Sequence, residues 1–195
     1  MAPGPQTFSL RPASPSDGSA FAAIYGPIVR DTAISFETEP PSAEVMAERV
    51  ARLLPTHPWI VAEWDGRILG YAYAGPHRER PAYRWSVDVT PYVHEDARGQ
   101  GVGRALYGAL IAILGLQGFR SAFAGIALPN PQSIGLHQAM GFEPVGTYRD
   151  VGFKFGRWRD VSWWRLGLSQ AEGLPAEPVP FDELRRSGAL SAILG

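Results

Sequence analysis

The sequence predicts a single α/β domain, a mixed and mostly antiparallel sheet flanked by helices. Three stretches carry that prediction. Residues 87–93 alternate like a strand, Arg98-Gly99-Gln100-Gly101-Val102-Gly103-Arg104 makes a turn, and residues 105–114 continue as a helix. A strand followed by a turn and a helix leads to a parallel neighbour. Residues 59–64 and 68–74 are strand-like runs joined by Asp65-Gly66, a hairpin turn pair. Residues 143–155 and 159–168 make a second, longer hairpin.

The other elements follow in order. Residues 7–11 alternate as a first strand. Ser14 caps a helix with Pro15 at its first position and Asp17 two residues on. That helix runs to about residue 30 and buries Phe21, Ile24, Tyr25 and Ile28. Ser42 caps a second helix reaching about residue 54, with Val45, Met46, Val50 and Leu53 as its apolar stripe. Gly75-Pro76 breaks the strand begun at Ile68, and residues 84–93 form the next one. The helix after the glycine turn buries Val102, Leu106, Ala109, Leu110 and Ile113 and stops at Gly118. Residues 120–128 are a fifth strand, and Asn130-Pro131 opens a helix through Ala139. Residues 1–6 read as a disordered leader, 7–169 as the domain, and 170–195 as a Pro/Gly-rich tail with a short helix near 181–190.

Composition excludes several classes. A net charge of −1 argues against nucleic-acid binding. Zero cysteines exclude disulfides, thiolate metal sites and a cysteine acyl-enzyme. No apolar run is long enough to span a membrane, and the first residues lack the pattern of a signal peptide. A cytoplasmic enzyme without a metal is the expectation. Of 18 basic residues, Lys154 is the single lysine. A lysine kept among arginines either does what a compact point charge alone can do or survives by chance.

The glycine turn is a potential anion site, because first-turn amides of a helix lack acceptors and its dipole favours negative charge. A Walker loop needs Gly-Lys-Ser/Thr, which is absent. A dinucleotide fingerprint needs a third glycine where Arg104 stands. The turn instead fits R/Q-x-x-G-x-G/A through Arg98, Gly101 and Gly103. In this it resembles the GNAT superfamily of acyl-CoA N-acyltransferases, whose loop holds the pyrophosphate of coenzyme A. About thirty residues on, Asn130 to Phe142 fits N-x-x-S-x-x-x-Y-x-x-x-G-F with His137 in the tyrosine place. Ala74-Gly75-Pro76, the run from Arg80 to Trp85, Tyr92-Val93-His94, Leu128-Pro129-Asn130 and the run from Gly152 to Val161 are similar to the phosphinothricin N-acetyltransferase family. The likeness covers about residues 7 to 168.

The resemblance implies a GNAT fold, acetyl-CoA as cosubstrate, a homodimer, and acetylation of the α-amino group of phosphinothricin, methionine sulfoximine or methionine sulfone. It implies Asp88 as the base, one methylene shorter than the family's glutamate, acting directly or through water. His137 matches a family histidine and reads either as a catalytic group, relaying protons or donating to the leaving sulfur, or as a hydrogen-bonded core residue. Pro91, Tyr92 and Val93 are expected along the thioester and pantetheine, with the amides of Tyr92 and Val93 turned toward them. Pro91 lacks an N–H, so one strand or cofactor bond is missing there. Arg98, Gly99, Gln100, Gly101, Val102, Gly103 and Arg104 are expected at the pyrophosphate, with Asn130 and Ser133 as further cofactor contacts. Phe36, Arg78, Arg80, Tyr83, Lys154 and Val161 are the expected substrate residues, although Phe36 alone also reads as a core anchor. Acetylation of another small amine or a protein N-terminus, or a non-catalytic acetyl-CoA sensor, are the competing readings.

Overall fold

The structure, a computed structural model of the chain, describes residues 8–169 and 173–195. The expected leader and the start of the first strand at Thr7 lie outside the described residues. Seven strands form one sheet in the order β1-β2-β3-β4-β5-β7-β6. They are β1 (Ser9–Pro12), β2 (Trp59–Trp64), β3 (Arg67–Pro76), β4 (Ser86–Val93), β5 (Ser121–Ala127), β6 (Glu143–Lys154) and β7 (Arg157–Gly167). The pair β4·β5 is parallel and every other pair antiparallel. The helix joining that pair, α3 (Val102–Gln117), follows the glycine turn as expected.

The helices pack on both faces. α1 (Gly18–Asp31) lays Phe21 against Trp59 and Tyr71, and Tyr25 against Tyr92. On the other face, a Cβ on Gly70 would meet Leu106 of α3, and the Tyr107 hydroxyl reaches the Val89 carbonyl. Neighbours along a strand point to opposite faces. Tyr92, Thr90 and Asp88 therefore share the α1 face, while Val89, Pro91 and Val93 share the α3 face. α2 (Ala43–Leu53) packs on α1, and α4 (Pro131–Ala139) follows β5.

Local chemistry explains most boundaries. Ser14 and Asp17 form a reciprocal capping box around a short 3-10 turn that leads into α1. Ser42 and Asn130 accept the amides of Val45 and Ser133 at the starts of α2 and α4. Asp65 and Gly66 both have positive φ, 48° and 74°, as a two-residue hairpin turn requires. Two expectations fail. Gly75-Pro76 does not break β3; the strand runs to Pro76, which pairs with Val87. Val45 lies on the exposed side of α2, and only Met46 and Val50 are fully buried there.

The tail docks on the body. Val179 and Gln117 exchange hydrogen bonds, and the Gln117 amide also donates to the Thr56 carbonyl. Phe181, the first residue of α5 (Phe181–Ser187), is completely buried. α6 (Ser191–Leu194) closes the chain beside α3 and β1. The single expected helix is thus two, separated at Gly188 with φ 76°.

Candidate active site

The site begins where the parallel pair separates. β4 and β5 match only at Ser86↔Ser121, Val87↔Ala122 and Asp88↔Phe123. Beyond Asp88, β5 continues against β7 while β4 runs on to Val93. One edge of β4 is therefore left open. Its polarity follows from the ladder with β3. The bonds His77 N–H to Ser86 O and His94 N–H to Leu69 O mark the hydrogen-bonded pairs. In an antiparallel ladder these recur at every second residue, so Asp88, Thr90 and Tyr92 bond to β3. The odd residues Val89, Pro91 and Val93 turn their backbone groups to the cleft. The Val93 amide thus faces the cleft. The Tyr92 amide does not, because β3 uses it. Pro91 costs the sheet nothing, and the donor it lacks is one the cleft would have had.

The glycine turn stands at the end of this open edge. Gly99 and Gly101 have φ of 75° and 84°, and Gly101 is the N-cap of α3 with no side chain capping the helix. Its carbonyl accepts from Ala105, so the amides of Val102, Gly103 and Arg104 have no acceptor within the helix. Gly103 lies against Val93 and Leu136, which sets the start of α3 beside both β4 and α4. Val102 buries its side chain and offers only its backbone. Gln100 turns its amide to the Asp96 carbonyl. Arg104 is exposed, and Arg98 lines a small hollow beside α1 with His94 and Thr32. Asn130 is occupied as the cap of α4, with Ser133 in that helix's first turn.

Three of the residues expected at the substrate gather where β3 ends. A cavity of about 720 Å³ is lined by Pro76, His77, Arg78, Glu79, Arg80 and Tyr83. Arg78, Arg80 and Tyr83 are thus brought together, and Asp88 joins them through His77, whose Nδ1 lies 2.6 Å from Asp88 Oδ1. Burial raises the Asp88 carboxyl above its ordinary value, and the His77 hydrogen bond opposes this. Arg78 also covers the Trp163 ring at 5.5 Å. Val161 faces Gly125 beside Trp163, on that wall of the cleft. His77 was missed in the sequence because it sits in a short polar connection that carries no motif. Strand alternation does put it near Asp88, once the hairpin register is known.

A model of the Acetyltransferase (GNAT) domain matches residues 10–163. The phosphinothricin N-acetyltransferase of Streptomyces viridochromogenes is 38% identical over 180 residues, covering 92% of this chain and 96% of that protein. This chain belongs to the GNAT acetyltransferases, in the phosphinothricin N-acetyltransferase family. The L-methionine sulfoximine/L-methionine sulfone acetyltransferase of Pseudomonas paraeruginosa is 38% identical, covering 86% of this chain and 98% of the relative. A phosphinothricin acetyltransferase from Sinorhizobium meliloti, solved in complex with AcCoA, superposes with a TM-score of 0.83 at 37% identity. It covers 89% of this chain and 95% of its own.

In this acetyltransferase two expected site residues have other partners. Lys154 is 6% exposed, and its Nζ donates to the carbonyls of Val29, Ser35 and Glu37 at 2.7, 2.8 and 2.7 Å. An ammonium has three donors, and all are taken within the protein. Lys154 therefore ties the end of α1 to the loop that follows it and has no donor left for a substrate. That loop carries Phe36, whose ring lies over Gly152 of β6 and fills the space a Cβ would need. It also carries Glu37, which Arg49 holds at 2.7 and 2.9 Å and so keeps below the ordinary carboxylate value.

His137 is buried, with Nδ1 2.7 Å from the Ser133 carbonyl and Nε2 2.8 Å from the Tyr107 hydroxyl. A carbonyl only accepts, so Nδ1 carries the proton and Nε2 accepts from Tyr107. Burial pushes the imidazole below its usual value and keeps it neutral. This geometry matches the core reading of His137, not the relay. Among the described residues no cluster suits a metal ion.

Proposed function

We propose that this enzyme transfers the acetyl group of acetyl-CoA to the α-amino group of phosphinothricin and of its relatives methionine sulfoximine and methionine sulfone. One observation carries the reading: the open β4 edge and the cationic cavity meet at Asp88. The uncapped amides of Val102, Gly103 and Arg104 suit a pyrophosphate. The Val93 amide suits a carbonyl of the pantetheine arm or the thioester. Arg78 and Arg80 supply charge for the α-carboxylate of a free amino acid, which a protein N-terminus lacks, and for the phosphinate of phosphinothricin.

Only a neutral amine attacks a thioester, so a base must take a proton from the ammonium. The elevated Asp88 carboxyl belongs to the groups suited to that work, directly or through a neighbour. As nitrogen bonds to the acetyl carbon and the C–S bond breaks, a second nitrogen proton leaves with the thiolate as free thiol. The reading places the enzyme in the cytoplasm, where acetyl-CoA is used. Among the described residues no helix is long and apolar enough to cross a membrane.

The reading extends to a homodimer. Tyr148, Val151, Phe153, Phe155 and Trp158 are all exposed on the β6–β7 hairpin, and β6 is an edge strand. Such a surface suits a second copy. Light scattering on the purified chain tests this, with a monomeric mass as the contrary result. The substrate reading is tested by following acetyl-CoA consumption with the three amino acids side by side. Turnover of none of them removes the substrate assignment.

A further inference from the structure

We infer that His77 is the proton acceptor of the reaction and that Asp88 is the carboxylate that orients it. The inference rests on the proposed N-acetyltransfer and names the base within it. His77 lies on the turn leaving β3, across the ladder from β4. Its Nδ1 meets Asp88 Oδ1 at 2.6 Å. An ionised carboxylate only accepts, so it fixes the tautomer with hydrogen on Nδ1 and the lone pair on Nε2.

The ring is clamped in that orientation. It stacks on Phe123 at 4.3 Å and 18°, and the edges of Tyr83 and Trp163 close on it at 6.0 Å each. Nε2 has no hydrogen-bond partner among the described residues, and His77 lines the 720 Å³ cavity with Arg78, Glu79, Arg80 and Tyr83. Those four are the titratable or charged groups around it, together with Asp88, whose side chain is the more exposed of the pair; Phe123 and Trp163 add none. A nucleophile's base oriented by a carboxylate is a recurrent catalytic arrangement.

The pairing also answers the short side chain at position 88. An aspartate reaches one methylene less far than a glutamate, and here it contacts an imidazole that extends toward the cavity. In the step, the ammonium gives one proton to Nε2, and the amine lone pair bonds to the acetyl carbon. The C–S bond breaks, the second nitrogen proton leaves with sulfur as thiol, and the proton on Nε2 passes to solvent through the open cavity.

The test compares wild type, His77→Asn, His77→Ala and Asp88→Asn. It measures kcat/KM against pH with phosphinothricin and acetyl-CoA, and acetyl-CoA affinity by calorimetry. Asparagine keeps an N–H for Asp88 but has no basic nitrogen. The expected result for His77→Asn is a fall in kcat of at least about 100-fold with the acid limb of the profile lost. Acetyl-CoA affinity stays within about twofold. Added imidazoles restore His77→Ala in proportion to their basicity, which no purely structural role of the ring predicts. Asp88→Asn keeps the acid limb but displaces it.

Activity within about threefold of wild type in His77→Asn, with the same pH profile, overturns the inference. So does absence of imidazole rescue, including the case where His77→Asn also loses acetyl-CoA affinity. If wild type ignores phosphinothricin and acetylates another amine, the substrate reading falls alone and the same comparison is made with that amine. If it acetylates no amine, both fall.

Discussion

Replacing Lys154 by methionine separates two roles that position 154 can have. Methionine keeps the unbranched stem and removes the ammonium. Three carbonyls, those of Val29 and Ser35 buried and that of Glu37 partly so, then lose their donor. A lost bond to a charged donor costs about 1.5–3 kcal/mol when nothing replaces it. Water entering the vacated space recovers part of that, so about 1 kcal/mol per carbonyl, ~3 kcal/mol in all, is a reasonable total. For a chain of this size each kcal/mol moves the melting temperature about 2–4 °C, which gives a fall of roughly 6–12 °C. Loosening the loop also frees Phe36 and Glu37, so KM for the amine rises while acetyl-CoA affinity stays. The assays are differential scanning calorimetry and steady-state kinetics on the same preparation. An unchanged melting temperature with a large loss of kcat/KM would refute the reasoning, because that pattern belongs to a lysine touching substrate.

His137→Ala should cost about 2–4 kcal/mol, read in urea, by opening a cavity and stranding the Ser133 carbonyl and Tyr107 hydroxyl; the shape of the kcat pH profile should not change. His137 also makes stability depend on pH. Its folded value lies below the ordinary 6.5, so the unfolded chain binds the proton more readily. Its share of stability is complete above about 6.5 and is lost as pH falls toward the folded value. Urea midpoints at pH 8 and pH 5 should converge between wild type and His137→Asn. Phe181→Ala should cost about 3–5 kcal/mol and lower the melting temperature with little effect on kcat, since the ring is fully buried beneath the docked tail. Gly101→Ala places a Cβ at φ 84°, which costs about 1–2 kcal/mol; acetyl-CoA affinity measured by calorimetry should fall, and the amine KM should not.

The features legible in the sequence are those set by neighbours along the chain. Ser14, Ser42 and Asn130 cap because a short side-chain oxygen meets amides two or three residues on. Asp65-Gly66 and Gly101 announce themselves because few residues tolerate positive φ. Arg78, Arg80 and Tyr83 were named through the family resemblance, and they gather in one cavity because they share one short connection. Contacts across the fold were not legible. Lys154 reaches carbonyls 117 to 125 positions away, and nothing near it in sequence marks them. The docking of Phe181 beside Thr56 was hidden for the same reason, and so was the insertion of β7 between β5 and β6. The Tyr92 amide was misjudged because its direction depends on the parity of the β3–β4 ladder, which a shift of one residue reverses.

That parity also explains how one strand can serve two substrates. On β4 the odd residues present their backbone to the open edge, and the even residues from Asp88 to Tyr92 project side chains onto the α1 face. A thioester arm lying along the edge would meet the Val93 amide and pass Pro91, where no donor competes for it. On the proposed reading the amine would arrive from the other side, through the cavity walled by Arg78, Arg80, Tyr83 and His77. The two paths can meet only near Asp88, the last residue at which β4 is still paired with β5. A carboxylate placed earlier on β4 would lie farther from the open edge. One placed a single residue later would point to the α3 face, away from the cations. Position 88 is therefore set by where the sheet separates, and an acid there needs reach more than it needs a particular side chain. The 2.6 Å contact with His77 supplies that reach.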